Sequence, residues 1–151
     1  MIFREVKAAL LKKGWAGQTL SRNETVERLN PLIHRHIVLN QTYRAVWDDL
    51  GTELQAECRK ALLDVGKLTE TVHSSGGVAV SSVDTTKIDV AVDRSEALFE
   101  LKRREEAFVA AIEAETAVEH QIRTRAVLSR LLAHGRQRLV LLRKITSTRR
   151  R

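Results

Sequence analysis

Arginine is the residue type that most invites a chemical reading in this chain. After Glu119 there is no Asp or Glu to the C-terminus, while residues 120–151 hold ten Lys/Arg, among them Arg123, Arg125, Arg130, Arg136, Arg138, Arg143, Arg149, Arg150 and Arg151. Guanidinium groups at this density attract phosphate or acidic lipid. The strongest candidates for nucleic-acid contact are Arg136, Arg138, Arg143 and Arg149–Arg151. They do not share one clean side of a helix, and no stacking aromatics accompany them, so sequence-specific reading is not expected. Backbone attraction that weakens with salt is the form such binding would take. A second reading starts from residues 48–119, which hold sixteen acids against eight Lys/Arg. The basic segment then pairs with this acidic middle, in the same chain or in a neighbour. The charge balance favours that reading.

Other reactive constellations are thin. Cys58 is the only cysteine, which excludes intrachain disulfides and a thiolate zinc knuckle. It lies on a packing face, where a thiol behaves as a small hydrophobe. Gly76-Gly77 is too short for a phosphate-cradling loop, and serine-nucleophile motifs are absent. Glu70 and His73 have Glu-x-x-His spacing, close to the Ser74-Ser-Gly-Gly stretch that ends their segment.

The elements that must position these groups read as helices. A chain of 151 residues with one proline, seven glycines and 4% aromatics suits a one-domain, all-α protein. Residues 2–13 form an amphipathic helix (Ile2, Phe3, Val6, Leu10), and residues 1–20 read as an N-terminal arm that packs on the body or on a neighbour. Ser21 and Glu24 match a capping box, followed by an apolar stripe at Val26, Leu29, Ile33, Ile37, Tyr43, Trp47 and Leu50. Pro31 falls inside that stripe, so the helix either kinks there or restarts with Asn30 as cap. The next helix spans about 52–73 through Leu54, Cys58, Ala61, Leu62, Val65, Leu68 and Val72. Gly66 inside it costs helix stability or admits a close neighbour. Residues 74–92 read as an extended crossover. Asp93 and Glu96 open a third helix to about Glu115, and Thr116 with Glu119 fits a cap for a fourth helix ending near Ile145. The body is therefore 21–145, and 146–151 is a frayed basic tail. No apolar run reaches membrane-spanning length and no signal peptide is evident, so a cytoplasmic location is expected.

With four helices placed, a resemblance emerges. Thr25-Val-Glu-Arg-Leu-Asn-Pro-Leu-Ile33, then Tyr43, Gly76-Gly77, Glu105-Glu-Ala-Phe-Val-Ala-Ala-Ile112 and Arg138-Leu-Val-Leu-Leu-Arg143 resemble a bacterial family of ferritin-like domains of unknown function. His36-Ile-Val-Leu, Trp47 and Gly51 are spaced as in the starvation-induced DNA-protecting ferritins. The resemblance covers about residues 24–145. It implies a ferritin-like four-helix bundle with a long crossover between bundle helices 2 and 3.

In the wider superfamily it also implies iron, held by a Glu on each of two helices and a Glu-x-x-His on each of the others. Carried over residue by residue, that set is incomplete here. Glu105 matches the family carboxylate. Glu70 and His73 give one Glu-x-x-His, and His36 is a further candidate ligand. Asn40 stands where a Glu is expected, the histidine positions of the DNA-protecting proteins fall on Tyr43 and Val46, and His134 has Leu131 three residues before it. Asp84 and Asp89 of the crossover could substitute as ligands. For Glu105 the alternative is pairing with Arg104 or an arginine of the last helix. The expectation is therefore a ferritin-like scaffold without catalysis or a resident cofactor, working as a homo-oligomer or with a protein partner. Iron binding or ferroxidase activity is the first alternative, and non-specific nucleic-acid binding the second.

Overall fold

The computed structural model describes residues 20–83 and 93–149. They form four α-helices: α1 (Arg22–Ala45), α2 (Thr52–Ser74), α3 (Arg94–Thr116) and α4 (Ile122–Arg149). A 3-10 turn, Trp47–Asp49, lies between the first two, and there is no strand among the described residues. The arm helix expected over 2–13, like Asp84, Asp89, Arg150 and Arg151, lies outside the described residues.

Local chemistry accounts for most of the boundaries. Ser21 Oγ accepts from the Glu24 amide and Glu24 Oε1 accepts from the Ser21 amide, both at 3.2 Å, which satisfies two donors at the start of α1. Asp93 Oδ1 accepts from the Ser95 amide at 2.9 Å to open α3. At the end of α2, Gly76 takes a left-handed φ of 84°, and the amides of Gly76 and Gly77 reach the carbonyls of His73 and Val72 at 3.0 Å.

α1 runs through Pro31 as one helix, so there is no restart at Asn30. Pro31 and Glu27 are both exposed, and water can satisfy the carbonyl that proline leaves without a donor. The Asn30 side chain is used elsewhere. It donates to the Val78 carbonyl and accepts from the Val80 amide, each at 3.0 Å, and so fastens the start of the crossover to α1.

The cap expected at Thr116 is not used. Thr116 is the last residue of α3 and its hydroxyl donates back to the Glu113 carbonyl. Residues 117–121 turn with Val118 and His120 buried, and the Glu119 carbonyl accepts from the Leu20 amide at 3.1 Å. The C-terminal boundary also moves. α4 continues to Arg149, with Thr146 buried and donating to the Leu142 carbonyl, so residues 146–149 extend the helix instead of fraying.

Cross-helix contacts set the topology. Arg28 near the start of α1 meets Glu115 near the end of α3, while Thr42 near the end of α1 meets Arg104 in the first half of α3. α1 and α3 are thus antiparallel. Asp49, after α1, pairs with Arg94, the first residue of α3, at 3.6 Å. The Val26 side chain of α1 packs on Gly77, just past α2. The chain therefore leaves α2 at one end of the bundle and enters α3 at the other. α2 and α3 run parallel, and α1 and α4 run opposite to them. The packed neighbours are α1 with α2 and α3, and α4 with α2 and α3.

The apolar stripes meet in one core, with Leu29, Leu68, Leu101, Ile112, Leu128, Leu131 and Leu142 fully excluded from solvent. At Gly135, α4 lies so close to α3 that a Cβ would stand 2.7 Å from Val109 Cγ2. Gly66 is different: a Cβ there meets nothing within 4 Å, so no close helix approach depends on it.

Candidate functional site

The middle of the bundle holds a buried polar layer. Tyr43 comes from α1, Glu105 from α3 and Arg138 from α4, with exposures of 2%, 0% and 1%. Each sits on its helix's apolar stripe: Leu101, Glu105, Phe108 and Ile112 on α3, and Leu128, Leu131, Gly135, Arg138 and Leu142 on α4. Arg138 Nε donates to Glu105 Oε1, and Arg138 Nη2 reaches Oε2 at 3.4 Å. Tyr43 Oη donates to the same Oε1 at 2.8 Å. Arg138 Nη1 has no partner among the described residues.

The surrounding groups are neutral. Burial, and then the Arg138 charge, pull the His36 imidazole down to about 4, and its ring lies 5.7 Å from that of Phe108. Burial pushes the Cys58 thiol up to about 12, and burial reinforced by Glu105 raises the Tyr43 phenol well above its ordinary value. Burial pulls down on the Arg138 guanidinium, but the charge and hydrogen bond of Glu105, with smaller contributions from Tyr43 and Cys58, together outweigh it and raise the group overall. The layer is therefore one cation against one anion, with neutral donors and rings around them.

The residues expected to bind metal are not brought together. Glu105 is fully buried and held by Arg138 and Tyr43, so its partner is the expected arginine of the last helix and not Arg104. Glu70 and His73 are exposed in the last turns of α2. His36 faces the Phe108 ring and the Arg138 charge. Among the described residues no three His, Cys, Asp or Glu side chains group as a metal site. A di-iron centre needs several carboxylates and imidazoles at one level. Here the layer supplies a single carboxylate, already neutralised by a guanidinium, with the His36 imidazole against Phe108 and no second carboxylate among the described residues, which does not fit.

The arginines also divide. Arg138, expected among the nucleic-acid contacts, is buried and bound to Glu105, so that expectation is corrected for it. Arg136 is exposed and pairs with Glu113 at 3.2 Å, and Arg143 is exposed. The Arg149 side chain, Arg150 and Arg151 lie outside the described residues. Arg130 approaches Asp64 at 3.7 Å and Arg125 approaches Glu119 at 3.5 Å, so much of the basic helix meets the acidic middle within this chain.

Two further polar clusters escaped the sequence reading. His134 Nδ1 lies 2.6 Å from Asp64 Oδ2, joining α4 to α2. At the other junction, Glu115 Oε1 receives Arg28 Nε at 2.7 Å and stands 2.6 Å from His120 Nε2. Burial raises the Glu115 carboxyl, but the His120 and Arg28 hydrogen bonds outweigh it and hold the group below its usual range. The i,i+5 spacing of Glu115 and His120 was visible in the chain. The partner of His134, seventy residues away, was not.

Outside the core, Leu62 and Leu63 stand on the outer side of α2 at 49% and 72% exposure. They border a shallow groove of about 530 Å³ between α2 and α4, where Lys60, Lys67, Glu70 and Arg130 also sit. Fold and site together define an all-helical four-helix bundle with an ion-paired central layer. No protein-family model, curated protein or solved structure matches the chain.

Proposed function

We propose that this protein is a ferritin-like helical bundle that has no ferroxidase chemistry and acts by associating with copies of itself. The observation that carries the reading is the Arg138–Glu105–Tyr43 layer. The carboxylate at the place of the family ligand is neutralised by a guanidinium, so a metal ion would have to displace a buried, hydrogen-bonded cation. Support for the ferritin-like part comes from the helix order, with antiparallel neighbours, parallel α2 and α3, and a long connection between them.

The self-association part draws on the outer face of α2. Leu63 and Leu62 are adjacent, large and exposed, and Gly66 leaves a shallow space one turn on. Lys67 and Glu70 border the same groove, so the face carries both signs of charge. A surface with both signs can pair with itself across a two-fold axis. Nucleic-acid contact through α4 has weaker support, because Arg138 is buried and Arg136 already has Glu113.

Sedimentation velocity of the full chain and of Leu63→Glu tests the association. The expected result is a discrete oligomer that shifts to smaller species in the variant, with unchanged helicity. A monomeric parent protein, or an oligomer indifferent to the charge at position 63, would reject it.

A further inference from the structure

A second cleft, of about 630 Å³, opens where α1 ends and α2 begins, lined by Asn40, Arg44, Trp47, Cys58, Arg59 and Leu62. Its volume is in the range of small-molecule sites. Two of the six residues are cations and none is an acid. Among the described residues neither Arg44 nor Arg59 has an ion-pair partner, a state they share with Arg22, Arg35, Arg123 and Arg143, but only these two line the cleft. Two guanidiniums without an acidic partner thus line one concavity, where an anion would be attracted by both.

Arg59 is also held in place. Its guanidinium carbon lies 5.6 Å from the centroid of the Trp47 ring. A cation–π contact of this kind places the guanidinium over the ring and leaves N–H donors for a carboxylate or phosphate. Trp47 is itself anchored, because its carbonyl accepts from Gln55 Nε2 at 2.9 Å. The remaining wall differs in character. Leu62 is a half-exposed apolar side chain, and the Cys58 thiol, pushed up to about 12 chiefly by burial, stays protonated and apolar. Asn40 adds one amide able to donate or accept.

We infer that this cleft binds a small organic anion, its carboxylate or phosphate between Arg44 and Arg59 and its apolar body against Leu62 and Cys58. The inference rests on Arg44 and Arg59, which the association proposed for Leu63 does not use, although Leu62 borders both clefts. It requires no bond-making, since the cleft offers no nucleophile or general base.

The test is calorimetric titration of the full chain with 2-naphthoate, alongside 2-naphthol and inorganic phosphate as its separate halves. Replacing Trp15 with Phe leaves Trp47 as the one indole, and its N–H resonance reports the location of binding. The expected result is saturable naphthoate binding that shifts the Trp47 signal and weakens by about tenfold in Arg44→Gln and in Arg59→Gln. Both arginines are exposed, and circular dichroism confirms that each variant remains folded. Binding untouched by either substitution, or no saturable binding at low-millimolar naphthoate, would overturn the site. Naphthol or phosphate binding as tightly as naphthoate would overturn the two-part ligand.

Discussion

Arg138 and Glu105 face each other across the centre of the bundle, with Nε and Nη2 of the guanidinium directed at separate carboxylate oxygens and almost no solvent contact at either residue. Charge removed from water is costly, and mutual attraction with extra hydrogen bonds must offset that cost. Tyr43 supplies one such bond to Glu105. Arg138 Nη1 has no hydrogen-bond partner among the described residues. The pair is thus better understood as fixing which helices face one another than as a large net source of stability.

A mutant cycle separates those two roles. Glu105→Ala strands a buried guanidinium and is expected to cost about 3–5 kcal/mol in urea unfolding. Replacing Glu105 with Leu, Arg138 with Met and Tyr43 with Phe together strands no polar group, and should leave stability within about 1 kcal/mol of the parent or above it. A single variant costing less than about 1 kcal/mol would mean the pair is not desolvated as described.

His36 makes stability depend on pH. Burial and the Arg138 charge pull its imidazole down to about 4, whereas in the unfolded chain it titrates near 6.5. Between those values the unfolded chain binds a proton that the folded chain does not. Stability therefore falls as the pH drops from 6.5 to about 4, by about 3 kcal/mol in all, and this contribution is constant outside that window. Urea midpoints across the range should show that loss in the parent, and His36→Leu should lose less over the same range. Glu115 acts lower in the scale: its depressed carboxyl stabilises above its unfolded value and loses that effect as the pH falls through the folded one. Parallel slopes for parent and His36→Leu between pH 5 and about 6.5 would contradict the assignment to His36.

Two helix-interior glycines should respond to alanine with opposite signs. At Gly66 the new methyl meets open space, so Gly66→Ala gains about 0.5–1 kcal/mol from helix propensity. At Gly135 the methyl would press on Val109 and stand 3.4 Å from Arg138 Nη2, so Gly135→Ala loses about 1–3 kcal/mol. Thermal unfolding of the two variants checks both, and a shared sign would refute the packing described at Gly135.

The helices were legible because their signals are local. The Ser21–Glu24 box, the Asp93 cap and the stripes through Leu29, Leu54, Leu101 and Leu128 all lie within a few turns of chain, and each appears in the structure. The boundary at Thr116 was misplaced because its capping pattern competes with the burial of Val118 and His120, a tertiary effect. Arg138 groups with the candidate phosphate-binding arginines because Arg136 and Arg143 lie close by in an acid-free segment. Its spacing from Leu128, Leu131 and Leu142 marked it as a core position, and Gly135 one turn before it gave it room. Glu105 carried half of the answer, since an arginine of the last helix was one expected partner. The pairing of Asp64 with His134 had no local signature at all.

The central claim is that Glu105 is engaged by Arg138 and not available to a metal. The most direct measurement is aerobic incubation of the full chain with ferrous iron, followed by a sizing column with metal analysis of the protein peak. The account predicts a discrete oligomer eluting without stoichiometric iron. Co-elution of about two iron ions per chain, abolished by Glu105→Ala, would contradict it and restore a ferroxidase-type centre.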